Sequence, residues 1–175
     1  IFRRNTRDLT FVRSAEDAKT QESNFVPVLL AGVALGAAVA LIKNFIPQKI
    51  DAAAAASGTT ALTFSGPVVV SMLLAIAAIV AWPMSKAVDR MGTKQGLVYG
   101  LVGTFLSLSA ISLASNSYVL MIMAFVTAPF FSLASVSAFP YALGKLSVRS
   151  VTLGTGIFFG SVELADGMMN ILEKM

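Results

Sequence analysis

Cysteine and histidine are both absent from the 175 residues. The first absence excludes disulfides, thiol nucleophiles and cysteine-ligated zinc or iron–sulfur centres. The second excludes imidazole-ligated haem and removes the commonest general base. No nucleophile–base pair and no metal-ligand set stands out in what is left, so an enzyme is the weakest reading and no metal site is expected. Chlorophyll ligation stays open, because Asn, Gln, Glu or water can replace the usual imidazole.

Charge is scarce too. Asp, Glu, Lys and Arg make up 13% of the residues, against about 25% in an ordinary soluble domain. Hydrophobic residues make up 56% and the mean hydropathy is +0.79. This composition belongs in a membrane. The net charge of +4 is modest, and no basic stripe carries interleaved aromatics. Anionic lipid is therefore the expected partner of the basic loops, and nucleic acid is not. The first residue is Ile, so the expectation is a processed product or a fragment.

What is present is long apolar runs. Residues 1–24 form a polar arm of mixed charge, from Arg3 and Arg4 to Asp17, Lys19 and Glu22. Five apolar segments follow, at about 25–46, 67–85, 97–114, 118–143 and 151–172. A hydrocarbon core of about 30 Å takes about 20 helical residues, and each segment is near or above that. The runs are too long for strands and lack period-2 alternation. The fold class expected is all-α: a polytopic bundle of about five transmembrane helices, the fifth being the least apolar. Between the first two segments, the Ala52–Ala56 run is able to form a short interfacial helix. Ser115-Asn116-Ser117 is a tight turn, which makes its flanking helices antiparallel neighbours.

Five alternating passes put the arm, the 85–96 stretch and the 144–150 stretch on one side. These hold ten of the thirteen basic residues, leaving Lys43, Lys49 and Lys174 on or near the other. The rule relating positive loops to orientation makes the richer side the cytoplasm, or the matrix or stroma of an organelle. Gly32/Gly36, Gly96/Gly100 and Gly156/Gly160 are GxxxG pairs, which imply close helix packing. Trp82, Tyr99 and Tyr118 lie near segment ends, as interfacial anchors do.

One stretch carries most of the functional signal. Ser85 to Gly96 reads SKAVDRMGTKQG and holds Lys86, Asp89, Arg90 and Lys94 between charge-free runs. Basic residues at a helix end need no special role. Asp89 beside Arg90, however, can clasp a neighbouring helix, and Gly92 permits a tight reversal. The stretch resembles the signature loop of the major facilitator superfamily, G-x-x-x-D-R-x-G-R-K. Asp89, Arg90, Gly92 and Lys94 stand at matching positions, whereas Ser85 and Thr93 depart from the pattern. Those departures suit the degenerate copy in the second half of such transporters. A second stretch, Phe139-Pro140-Tyr141-Ala142-Leu143 followed by Gly154-Thr155-Gly156 and Gly160, is similar to helices of the second half of sucrose- and glycoside-type members. The resemblance covers about residues 67–172.

The resemblance implies half of a secondary transporter, with about five of the twelve helices a whole one has. It also implies a conformational latch at Asp89 and Arg90. The leading functional expectation is therefore solute transport by alternating access, for a sugar or glycoside, with the missing transporter half as partner. The alternative is a non-transporting structural subunit of a photosynthetic or respiratory membrane complex, whose other subunits are the partners. Bound lipid is the expected ligand, and pigment is expected only under that alternative. Two further features are candidates. Pro129 and Pro140 free backbone carbonyls inside one apolar segment and mark a helix bend. Glu163 and Asp166, three residues apart, share one helix face. They are either an intramembrane proton site or acids near a wet helix end or a partner subunit.

Overall fold

The computed structural model describes residues 24–57 and 65–174. The 1–23 arm and the Lys174 side chain, both used in the orientation argument, lie outside the described residues. Five α-helices account for nearly all the rest: α1 Phe25–Ser57, α2 Gly66–Met91, α3 Thr93–Leu113, α4 Ser117–Leu143 and α5 Val151–Lys174. A 3-10 turn, Val148–Ser150, leads into α5. No strand occurs among the described residues. The protein is an all-α helical bundle. Helices α1 to α4 are long and apolar enough to cross a membrane, as an integral membrane protein requires. Glu163, Asp166 and four glycines make α5 less apolar.

Three sequence expectations need correction. The first helix does not stop near residue 46. It runs on through Pro47 and the Ala52–Ala56 run for 33 residues in all, about 50 Å at 1.5 Å per residue. Alanine is the strongest helix former, and Pro47 costs one intrahelical bond without ending the helix. The Ala run is thus not a separate interfacial helix. The 85–96 stretch is not a loop. Residues up to Met91 belong to α2, residues from Thr93 to α3, and Gly92 alone joins them, at φ 90 and ψ 150. The second and third helices therefore extend well past the expected bounds of 67–85 and 97–114.

The connections that are visible have clear chemical causes. Asn24 Oδ1 accepts from Val26 N at the start of α1. Asn116 Oδ1 accepts from Tyr118 N at the start of α4, which is the tight turn expected from Ser115-Asn116-Ser117. The start of α2 is capped from a distance: Gly66 N donates to Asp51 Oδ1 at 2.7 Å. A carboxylate at a helix N-terminus is favoured by the orphan amides and the dipole. Gly66 also lies against the Pro47 backbone, where a side chain would not fit.

Helices α1 and α4 form the centre, and each touches all four other helices. They run antiparallel. Asn24 N donates to Lys145 O at one end of the bundle, and Lys49 Nζ donates to Ser112 O, next to the start of α4, at the other. The first end gathers Gly92, Lys94 and the 144–150 turn, so the basic turns do share one end. Glycines set the closest approaches. Gly32 and Gly36 seat α5, against Ser161 and Val162, and Gly96 and Gly100 seat α4, against Ser137 and Ala134. The third GxxxG pair differs: among the described residues no neighbouring element lies within 4 Å of where a Cβ would stand at Gly156 or Gly160.

Two apolar clusters fill the interior. One, toward the Lys49 end, is built on Ile42, Ile46, Ile50, Leu73, Ile111 and Leu120. The other, toward Gly92, is built on Val28, Leu97, Ala138, Leu146 and Phe158. Phe139, Phe158 and Phe159 stack there, with ring centroids 5.3 to 5.7 Å apart. Buried hydroxyls are satisfied by carbonyls of their own helix, as Thr104 is by Gly100 O and Ser137 by Leu133 O. Ser132 is the exception. Its Oγ donates across to Ala77 O on α2 at 2.8 Å.

Candidate functional site

The least expected chemistry lies along the α1–α5 seam. These two helices run parallel, because Gly32 meets Ser161, Gly36 meets Val162 and Ala165, and Asn44 meets Asn170. Parallel register brings Lys43 to Asp166. The ammonium is 3.5 Å from Oδ2, at the outer limit of a hydrogen bond. Asn44 Nδ2 donates to Asn170 Oδ1 at 2.7 Å one turn further on. The second carboxylate oxygen, Asp166 Oδ1, is buried and has no hydrogen-bond partner among the described residues. Lys43 is six residues from Lys49, so the pair sits about 9 Å along α1 on the inner side of the Lys49 end. A carboxylate and an ammonium at that depth hold each other in place, since either alone is costly in hydrocarbon.

Pro47 adds to this seam. A proline lacks the N–H that would meet the carbonyl four residues earlier, and that carbonyl belongs to Lys43. Charge pair, amide pair and freed carbonyl thus fall within two turns. Glu163 does not join them. It is exposed, has no partner among the described residues, and shares the open face of α5 with Gly156, Gly160 and Gly167, where an added Cβ would meet no other element among the described residues within 4 Å.

The other candidate residues cluster at the opposite end. Asp89 and Arg90 are exposed on the last turn of α2, and neither has a hydrogen bond or ion pair among the described residues. Lys86 lies over the Trp82 ring, 3.8 Å from its centroid, an arrangement that holds the cation by the ring quadrupole. Lys94, in the first turn of α3, is exposed at the mouth of a groove between α1 and α3. Gly92 is the only residue with positive φ among those described. Its combination with ψ 150 is a region that side chains other than hydrogen avoid.

Pro129 and Pro140 both lie inside α4, which continues past each of them to Leu143. Pro129 is half-buried and Pro140 exposed. The two sequence candidates Glu163 and Asp166 share a helix but not a partner. Lys43, Asn44 and Asn170 were not singled out as site residues. The available signal was Lys43 as the lone charge in residues 25–46, followed at once by an amide.

Comparison with known protein families, with curated proteins and with solved structures finds no match for this chain.

Proposed function

We propose that this chain is five helices of a secondary solute transporter of the major facilitator kind, with a sugar or glycoside as the solute class. The observation that carries the reading is the α2–α3 junction. A single glycine joins two membrane helices, and within one turn of it stand an acid and an arginine with no ion pair among the described residues. Free charges at a one-residue joint are suited to clasping and releasing a neighbouring helix as the bundle changes state. That is the latch role of Asp89 and Arg90, with Lys94 on the α3 side of the joint.

The helix arrangement supports the same reading. Parallel packing pairs α1 with α5, and likewise α2 with α4, where Ser132 meets Ala77. Exchanging α1–α2 with α4–α5 leaves this pairing unchanged, and α1 and α4 point in opposite directions. Inverted repeats of this kind are a common way of building secondary transporters. On this scheme α4 is flanked by α2 and α3, whereas α1 has only α5 in the corresponding role, so the neighbour of α1 equivalent to α3 is to be supplied by further chain. The basic end then faces the cytoplasm, or the stroma or matrix, and the α1–α5 seam with Asp166 is the candidate for a coupled cation.

The test is uptake of a radiolabelled disaccharide panel by cells expressing the complete gene product. Saturable uptake that falls at least tenfold in Asp89→Asn, with the protein still in the membrane, is the expected result. Absence of uptake across the panel, together with stable co-purification in a large membrane complex, would replace transport with the structural-subunit reading.

A further inference from the structure

We propose that the groove between α1 and α3 binds one anionic phospholipid, with an acyl chain between the helices and the phosphate at Lys94. The groove has a volume of about 360 Å³. Ala31 and Ala34 of α1 form one wall and Leu97 and Leu101 of α3 the other, while Lys94 and Tyr141 stand at its mouth. On α1 two of its four lining residues, Ala31 and Ala34, are small, which leaves room opposite Leu97 and Leu101 of α3. Leu30 and Val98 beside it are exposed, which places the groove on the outside of the bundle, in reach of lipid. It runs from the level of Lys94 to that of Leu101, about 10 Å along the helix.

Charge selects the occupant. Lys94 has no partner among the described residues. Lys145 stands near this end, its ammonium 5.7 Å from the centroid of the Tyr141 ring, though it does not line the groove. Tyr141 offers a hydroxyl where a headgroup would lie, the position that amphipathic aromatics favour. An apolar slot lined at one end by the Lys94 ammonium and by Tyr141, with Lys145 near that tyrosine, matches one phosphodiester on a hydrocarbon chain. A zwitterionic headgroup would bring a second cation into the same place. Lipid at this groove would hold α1 to α3 next to the Gly92 joint. The proposal rests on the membrane location and the groove, and stands whether or not the protein transports.

The test uses the complete protein in nanodiscs of phosphatidylcholine containing phosphatidylglycerol, with retained lipid counted by native mass spectrometry. The expected result is one phosphatidylglycerol retained in about tenfold preference over phosphatidylcholine, equivalent to about 1.4 kcal/mol. Lys94→Glu, at an exposed position that does not endanger folding, brings retention to parity, and Lys94→Arg keeps the preference. Ala34→Phe fills the slot and lowers retention of both lipids. Equal retention of the two lipids by the unaltered protein would overturn the proposal. So would an unchanged preference in Lys94→Glu, or loss of lipid because another helix occupies the groove. Displacement of the lipid by millimolar inorganic phosphate would reduce the site to a phosphate contact and overturn the acyl part.

Discussion

Lys43 and Asp166 are 123 residues apart in the chain and 3.5 Å apart in the fold. Their meeting is possible only because the first and last helices run in the same direction and in one register. It places a charge pair in a seam whose closest approaches lie at Gly32 and Gly36.

Asp166→Ala is expected to destabilise the bundle by about 1–2 kcal/mol. Breaking a fully buried pair costs about 3–5 kcal/mol, and Lys43 here is half exposed, which screens the loss. The double change Lys43→Met with Asp166→Ala should recover part of that loss, because no lone charge remains. Glu163→Gln removes no contact and should stay within about 0.5 kcal/mol of the unaltered protein. Reversible unfolding in mixed micelles, run as a double-mutant cycle, checks all three. Equal stability of the single and double variants would deny the pair any coupling.

The glycines make opposite predictions within one motif class. A side chain at Gly100 would run into the Ala134 backbone, so Gly100→Val is expected to separate α3 from α4 and cost about 3 kcal/mol or more through overpacking. At Gly160 a Cβ meets nothing within 4 Å, and Gly160→Ala should gain up to about 1 kcal/mol from helix propensity. Thermal unfolding of the two variants side by side provides the comparison. If Gly160→Ala instead destabilises the complete protein, a neighbouring helix covers that face of α5.

Gly92→Ala is a test of backbone alone. Apart from its chain neighbours, no described residue lies within 4 Å of the added methyl group, so the expected loss arises from φ 90 with ψ 150. The expected cost is about 1–3 kcal/mol, and Gly92→Asn should cost a similar amount, since ψ 150 lies outside the left-handed region that asparagine tolerates. Unfolding midpoints measure the cost. Distance distributions between spin labels on α2 and α3 would show whether the joint angle has shifted.

Much of this fold was legible in the residues, for identifiable reasons. Charge-free runs marked three of the five helices and a run with one charge, Lys43, marked a fourth, because hydrocarbon rewards so many consecutive apolar side chains. The shared end of the basic turns followed from counting passes. Helix ends were harder to place. The density of charge from Lys86 to Lys94 resembled a solvated loop, yet all but Gly92 are compatible with helix, and only the glycine breaks it. The proline at 47 looked like a stop, while the alanines beyond it carried the helix on. The α1–α5 seam was the least legible part. Lys43 alone reads as a snorkelling side chain and Asp166 alone as an acid near water. Their pairing depends on a register between distant helices, which local sequence does not encode. The same holds for Ser132, whose bond to Ala77 crosses to a helix 55 residues earlier in the chain.

The one-residue link at Gly92 gives α2 the mechanics of a lever. The helix is 26 residues long, so a swing of about 10° at its Gly92 end carries the Gly66 end through about 7 Å, taking 1.5 Å of length per residue. The Gly66 end is not free to swing by itself. It is fastened to α1 by Asp51 and by the backbone contact with Pro47, and Ser132 fastens the middle of α2 to α4. Any turning at the joint must therefore drag the Pro47 segment of α1 along with it. That segment lies one turn from Lys43, so turning at the Gly92 end of the bundle would be carried to the charge pair near the other end.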